Sequence, residues 1–221
     1  MERYFILGDY NTFYDWNLIL TAKDITPPEV KTNYVELDGM SGTLDLTEAL
    51  TGEPTYKDRV ITASFWTDKG NRAERDKLLR DITIALHGRK IKVIEPDDPT
   101  HYFVGRVTIK SSNNILPYLE FSIEIVCEPW RYAIEETVRR INFLKDEMRF
   151  GGNFVFTNNG VKTVCPTIKA EGSFIITVNG EYVSVISGEY KYSIIKFRHG
   201  VNVIHILGAG TIQFTYREAD L

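Results

Sequence analysis

Alternation of apolar and polar residues with a period of two dominates this chain, and it limits the fold to architectures built from sheets. Leu119, Phe121, Ile123, Ile125 and Cys127 alternate with Glu120, Ser122, Glu124, Val126 and Glu128, the pattern of a strand with one buried face. Ile61, Ala63 and Phe65 alternate in the same way with Thr62, Ser64 and Trp66, and Ile91 and Val93 are flanked by Lys90 and Lys92. One segment breaks the rhythm. Between Asn71 and His87, residues Leu78, Leu79, Ile82, Ala85 and Leu86 recur at helical spacing, with Asn71 placed as an N-cap and Gly88 as a stop. The expectation is a mainly β protein with one helix, at about residues 71–87, lying on strands of its N-terminal part.

The length of 221 residues has room for one large domain or two small ones. The texture changes after Arg131, beyond which residues 151–221 hold only short β-rich runs and turn residues. Asn158-Asn159-Gly160, Asn179-Gly180, Ser187-Gly188, His199-Gly200 and Gly208-Ala209-Gly210 are read as turns, spaced as in a β-sandwich or barrel. Asn179-Gly180 is the strongest of them. Both residues tolerate positive φ, as a two-residue type I′ hairpin requires, and they separate Phe174–Val178 from Tyr182–Ile186. The predicted boundary falls near Tyr132, giving domains 1–132 and 133–221. Residues 133–152, rich in charge, read equally as a linker or as a first strand of the second domain.

Composition narrows the function classes. Lys and Arg number 26 against 30 Asp and Glu, a net charge of -4, so no overall positive field is available to hold a nucleic acid backbone. Two cysteines, Cys127 and Cys165, are too few for a disulfide framework and lack a CxxC spacing. No 18-residue apolar run occurs, so no spanning helix is expected. The apolar run Tyr4–Leu7 is too short for a secretion signal; the chain is expected to be cytosolic when made.

Catalytic constellations are sparse. His87, His101, His199 and His205 are scattered and fit no metal spacing, and no GxSxG elbow exists. Cys127 could be a thiol nucleophile, but its place in an alternating strand favours packing. Glu95-Pro96-Asp97-Asp98-Pro99 could grip calcium or act as an acid–base pair, although two prolines and two aspartates between strand-like runs suit a hairpin connection better. Asp38-Gly39-Met40-Ser41-Gly42 lacks the lysine and following helix of a phosphate loop. Trp66, Tyr182, Tyr190 and Tyr192 could form a stacking platform for a sugar or base; alternating strand positions explain them more simply. No opposed acidic pair suggests a glycan hydrolase. The chain is therefore not expected to be an enzyme, and no cofactor or metal is expected.

Several ordered pieces carry a resemblance. Ile25–Lys31, Leu37–Glu48 with Asp38-Gly39 and Gly42-Thr43-Leu44-Asp45-Leu46-Thr47, then Tyr56-Lys57-Asp58-Arg59, Leu86-His87-Gly88-Arg89-Lys90, Tyr102-Phe103-Val104-Gly105-Arg106-Val107 and Cys127-Glu128-Pro129-Trp130-Arg131-Tyr132 resemble, in order and spacing, the distal tail protein family of long-tailed phages. Thr157–Gly160, Cys165–Ile168 and Asn179-Gly180 are similar to the family's C-terminal galectin-like β-sandwich. Two departures are the residue before Asp38-Gly39, where the family often has Pro-Gly, and Trp130, where tyrosine is more usual.

The resemblance implies a structural hub in the virion tail, assembled in the host cytoplasm. Its N-terminal domain closes into a hexameric ring that joins the tail tube protein and tape-measure end to the tail-tip or baseplate proteins, among them tail-associated lysin or receptor-binding proteins, with DNA passing through the ring and no membrane or specific nucleic acid bound. The chain is short for the family, with no room for an inserted carbohydrate-binding module. Structural or interface roles are implied for Gly39, Gly42, Asp45, Thr47, Tyr56, Arg59, Gly88, Gly105, Arg106 and Pro129. The glycines serve backbone geometry, Asp45 and Thr47 bond local backbone, and Arg59 and Arg106 pair with carboxylates at an interface. The segment Tyr10 to Pro28 is expected either as an extended arm lying on a neighbouring copy or as a loop packed on its own domain. The competing reading is a carbohydrate-binding module recognising host cell-surface glycan, although the galectin sugar-binding signature is absent.

Overall fold

The computed structural model describes residues 3–49, 51–115, 117–143 and 151–221. The chain divides into two compact units, one of residues up to Arg131 and one of Tyr132–Asp220. The protein is mainly β, as its alternation predicts, with one helix among the described residues.

Unit 1 contains β1 (Ile6–Leu7), β2 (Tyr10–Asn11), β3 (Ile19–Ile25), β4 (Tyr34–Glu36), β5 (Thr43–Asp45), β6 (Arg59–Thr67), α1 (Arg72–Leu86), β7 (Lys90–Glu95), β8 (Asp98–Ile115) and β9 (Tyr118–Cys127). Its main sheet runs β2-β1-β7-β8-β9-β6-β3, with every neighbouring pair antiparallel. The inward residues of β6 and β9 are those of the alternating runs. Ile61, Ala63 and Phe65 meet Leu119, Phe121, Ile123, Ile125 and Cys127 in one core, which Ile82 and Leu86 of α1 cover. The sheet curls far enough for its flanks to meet: Phe5, just before β1, packs edge to face on Phe65 of β6 with ring centroids 6.2 Å apart.

Local chemistry sets the ends of α1. The Asn71 side chain accepts a hydrogen bond from the backbone N–H of Glu74 at 3.1 Å, and the Glu74 carboxylate accepts one from the Asn71 N–H at 2.7 Å, closing a capping box. Gly88 follows the helix at φ +75°, where a side chain would strain the backbone. The buried Arg75 was invisible to a pattern search based on apolar residues. Its guanidinium donates to Asn114 Oδ1 at 3.1 Å and to the Gly70 carbonyl at 2.8 Å, tying the first turn of the helix to the far end of β8. Pro96 and Asp97 form the turn between β7 and β8, where Glu95 stands opposite Asp98; the acidic cluster is thus a hairpin connection.

Unit 2 takes in β10 (Arg131–Ala133) from Tyr132 onward, then β11 (Thr137–Phe143), β12 (Gly152–Asn158), β13 (Thr167–Val178), β14 (Glu181–Val185), β15 (Gly188–Lys191), β16 (Gly200–Tyr216) and β17 (Ala219–Asp220). The ambiguous stretch 133–152 holds the end of β10, β11 and the start of β12; residues 144–150 lie outside the described residues. Asn179 (φ +51°) and Gly180 (φ +88°) form the two-residue hairpin turn, with Val178 opposite Glu181. Buried Asn158 and Asn202 hold two other turns, Asn202 by bonding both the N–H and the carbonyl of Arg198 at 2.8 Å.

One sequence expectation fails in unit 2. Gly208-Ala209-Gly210 is no turn but the middle of the 17-residue strand β16, which pairs with β13 along its length. Gly172 stands opposite Gly210, and Ser173 opposite Ala209. Here φ is +136° at Gly172, +149° at Gly208 and +114° at Gly210. A Cβ on Gly172 would lie 1.7 Å from the Ala209 carbonyl oxygen. Two long strands therefore bend together where only glycine can stand, and continue. The halves on either side of the bend face each other across one core: Phe156 of β12 packs on Phe214 of β16 at 5.2 Å, and Phe143 of β11 on Phe154 of β12 at 5.6 Å. This is a sandwich cornered by its own strands.

Candidate assembly surface

Ile25 at the end of β3 is paired with Ile61 in β6, yet residues 26–58 separate the two strands in sequence. Antiparallel neighbours need only a few residues to connect them. The excess forms an arm of its own. At its base Val30 bridges Tyr56, the Lys31 N–H donates to the Thr55 carbonyl and the Lys57 N–H to the Glu29 carbonyl, both at 2.8 Å. Further out β4 pairs with β5 as a separate two-stranded sheet.

None of the arm's described residues belongs to the core of unit 1. Tyr34 (57% exposed), Leu37, Met40, Leu44 and Val30 present apolar surface to solvent. Isolated two-stranded ribbons are marginal in water, and exposed apolar clusters of this kind mark contact surfaces. A groove of about 780 Å³ runs along the arm, lined by Val30, Thr32, Tyr34, Asp45, Thr47 and Tyr56 among others.

Three of the residues singled out in sequence, Asp45, Thr47 and Tyr56, thus meet at one groove. Asp45 Oδ1 accepts from the Thr47 N–H at 2.9 Å, and Thr47 Oγ1 accepts from the Asn33 N–H at 3.1 Å, fastening the outgoing strand to the returning one. Hydrogen bonds from Thr47 hold the Asp45 carboxyl below the usual carboxylate range. Gly39 (φ +85°) and Gly42 (φ +86°) turn the tip. Tyr56 packs edge to face on Trp130 with centroids 5.5 Å apart, next to Pro129.

The remaining residues lie elsewhere. The Gly88 N–H donates to the Val107 carbonyl at 2.8 Å, and the exposed Arg106 guanidinium donates to the Gly88 carbonyl. Gly105 is required by close packing, since a Cβ there would lie 2.4 Å from Cys127 Sγ. Arg59 corrects an expectation: it is 5% exposed and lies over the Phe103 ring at 5.1 Å, unsuited to an interface carboxylate. Burial pulls its guanidinium pKa down. The reason is parity, because Arg59 shares the inward register of Ile61, Ala63 and Phe65. Of the two readings of Tyr10 to Pro28, an arm on a neighbouring copy or a segment packed on its own domain, the pairing within the chain agrees with the second. Tyr10–Asn11 pairs with β1 and Ile19–Ile25 with β6, so most of that segment is sheet within unit 1. The arm is the next stretch of chain.

Among the described residues, the histidines and aromatics singled out in sequence lie apart from one another or in ordinary packing contacts. Among the described residues no three His, Cys, Asp or Glu side chains converge as metal ligands. His205 Nδ1 lies 2.9 Å from Asn153 Oδ1, and His101 beside Asp98. Burial pushes the Cys127 thiol up to about 12. Tyr190 and Tyr192 stack on each other against the core of unit 2, while Trp66 sets its edge to Tyr118 in unit 1.

The outward face of the main sheet has a separate chemistry. Asp24, Thr62, Glu124 and Thr108 stand side by side across β3, β6, β9 and β8, with Ser64 beside Ser122 in the next row and Trp66 beside Glu120 beyond it. This surface is rich in hydroxyls and mixed in charge: Lys110 binds Glu124 at 2.8 Å, and Arg106 of β8, paired with Lys90 of β7, shares the outward parity of Thr108.

No family model matches the chain, and no curated protein matches its sequence. A solved structure does match its fold: the crystal structure of the SPP1 Dit protein (gp 19.1), described as a paradigm of the hub adsorption apparatus in Gram-positive-infecting phages. The two superpose with a TM-score of 0.73 over 98% of this chain and 99% of that one, at 11% sequence identity.

Proposed function

The chain has a distal-tail-protein fold, and from that premise we propose that it is a structural component of a phage tail hub. Copies of unit 1 join head to tail into a hexameric ring, each laying its arm on the next. A closed ring needs two different surfaces per subunit, and the arm supplies one of them. The observation that carries the reading is this two-stranded excursion with its exposed Tyr34, Leu37, Met40 and Leu44, which finds its apolar partner only on another molecule.

In this reading the ring links the tail tube and tape-measure end to the tail-tip or baseplate proteins, and unit 2 is a galectin-like sandwich offering docking faces. In this reading DNA passes through the ring without being held, since a net charge of -4 provides no overall positive field to grip its phosphates. The role is mechanical, without turnover, and belongs to the virion tail.

The test is the assembly state of the purified full chain, by mass photometry and negative-stain imaging. Annular particles that are lost when residues 33–46 are replaced by a short glycine-serine link support the reading. Annuli that persist without the arm refute it.

A further inference from the structure

Asparagine followed by glycine occurs twice in the chain, at Asn159-Gly160 and Asn179-Gly180, both in unit 2. Such a pair is chemically reactive because glycine, lacking Cβ, leaves its amide nitrogen free to approach the preceding side-chain amide. The two sites are held in different ways. At the first, the Gly160 N–H donates to Asn158 Oδ1 at 3.1 Å, and Asn159 Nδ2 donates to both Glu218 carboxylate oxygens at 3.2 Å. Gly160 is buried against Ala219, whose backbone nitrogen lies 2.5 Å from where a Cβ would stand. Both reacting groups are thus occupied, in a place with no room to rearrange. At the second, Asn179 and Gly180 are exposed at the tip of the β13–β14 hairpin, and a Cβ on Gly180 would meet nothing within 4 Å. The ladder closes from Glu181 to Val178, so the Gly180 N–H points out of it and, among the described residues, meets no acceptor. One exposed hydrogen bond, from Asn179 Nδ2 to the Lys196 carbonyl at 3.2 Å, restrains the side chain.

We propose that Asn179 is a site of spontaneous hydrolytic modification and that the fold protects Asn159 from the same reaction. The deprotonated Gly180 amide nitrogen attacks Asn179 Cγ. The new N–Cγ bond closes a succinimide ring while the bond from Cγ to Nδ2 breaks, and ammonia leaves with the proton that the amide gave up. Water then opens the ring at either carbonyl, giving aspartate or an isoaspartyl linkage; in sum one water is taken up and one ammonia released, with no change of oxidation state. Both products work against the hairpin. Aspartate has no N–H to give the Lys196 carbonyl and sets a negative oxygen against it, next to the turn's Glu181. Ile195 and Phe197, on either side of Lys196, are fully buried, so the lost bond is one that ties the turn to a core segment. An isoaspartyl linkage carries the main chain through the side chain and adds a methylene to a turn whose two residues set the register that buries Val183 and Val185. The reaction is one-way and needs no enzyme, so it loosens the β13–β14 hairpin of unit 2 with age, whatever the assembly state of the chain.

The experiment is prolonged incubation of the full chain at mildly alkaline pH, native and in guanidinium chloride, read by peptide mapping with mass spectrometry and by enzymatic methylation of isoaspartate. In the native chain Asn179 is expected to convert at least about tenfold faster than Asn159, and the two rates are expected to draw together in denaturant, where local sequence alone governs them. Native conversion of Asn179 no faster than that of Asn159 overturns the proposal, as does a preference for Asn179 that persists unchanged in denaturant. Glu218→Ala, which frees Asn159 Nδ2, is expected to raise the Asn159 rate and leave the Asn179 rate alone; an unaltered Asn159 rate in the folded variant counts against its protection by that contact. Asn179→Asp reproduces one product directly and is expected to lower the melting temperature of unit 2 in differential scanning calorimetry, and an unchanged melting event counts against the loosening of the hairpin.

Discussion

Lys23 and Glu95 are joined by a salt bridge although three strands, β6, β9 and β8, lie between theirs in the sheet. Lys23 also reaches Asp97 at 2.7 Å, and Asp97 takes Arg3 at 2.6 Å. With Phe5 against Phe65, this ionic clasp closes one flank of the rolled sheet on the other. The side chains of Lys23 and Glu95 are only 17% and 11% exposed, so the pair is shielded from solvent screening, unlike an ordinary surface ion pair.

Breaking the clasp is expected to be costly. Lys23→Met retains the aliphatic stem but leaves the Glu95 carboxylate buried without its cation, for a loss of about 2 kcal/mol. Burial draws the Lys23 pKa down, but its hydrogen bonds to Asp97 and Glu95 outweigh this and raise it. The lysine contribution is therefore complete below the ordinary lysine pKa of about 10.4 and vanishes as pH rises through the higher folded value. Hydrogen bonds from Lys23 and Arg3 depress the Asp97 pKa, so its contribution is present above the usual carboxylate value of about 4 and is lost as pH falls through the folded one. Urea midpoints of wild type and variant should differ by a constant amount from about pH 4 to pH 10, and converge only as pH falls through the depressed Asp97 value or rises through the raised Lys23 value. Convergence within the window would show that the clasp contributes nothing.

Gly172→Ala should disrupt unit 2 and spare unit 1. The new Cβ meets the Ala209 carbonyl oxygen at 1.7 Å, with φ at +136°, which adds steric overlap to backbone strain, a loss of about 3 kcal/mol or more. Differential scanning calorimetry should show one melting event moved or abolished while the other stays; two unchanged events would mean that the bend tolerates a side chain.

Tyr34→Ser combined with Leu44→Ser should leave the fold within about 0.5 kcal/mol of wild type, because both side chains are exposed and outside the core. Ring dissociation should nonetheless become at least about tenfold easier, equivalent to about 1.4 kcal/mol of lost contact energy. Equal dissociation of variant and wild type on dilution in mass photometry would remove the arm from the interface.

Thiol chemistry separates the two cysteines. Burial raises the Cys127 thiol to about 12, whereas Cys165 is half-buried. Ellman's reagent at pH 8 should react with Cys165 alone in the folded chain and with both in denaturant. Rapid reaction of Cys127 in the folded chain would mean that β9 opens readily.

The strands of the core were legible because burial imprints itself locally. Leu119 to Cys127 alternate in sequence as they do in space, and the Asn71 cap and Asn179-Gly180 turn are read from side chains that act on their own backbone. Arg59 was legible too, had its register with Ile61 been followed two residues upstream. The glycine cluster at 208–210 misled because the same residue serves a turn and a bent strand. The partner that distinguishes them, Gly172, is 38 residues away in the pairing with Gly210.

The location of the arm shows the boundary between the two kinds of information. Periodicity, caps and turn chemistry are properties of a few adjacent residues, so the chain itself determined that it would be β-rich, where its helix would begin, and which faces would be apolar. Closure of the first sheet through Lys23 and Glu95, the shared bend of β13 and β16, and the expulsion of residues 26–58 from between two paired strands all depend on contacts between residues far apart in the chain. Loop entropy opposes those contacts and only cooperative packing secures them. Which side chains remain exposed for a partner was therefore decided in three dimensions.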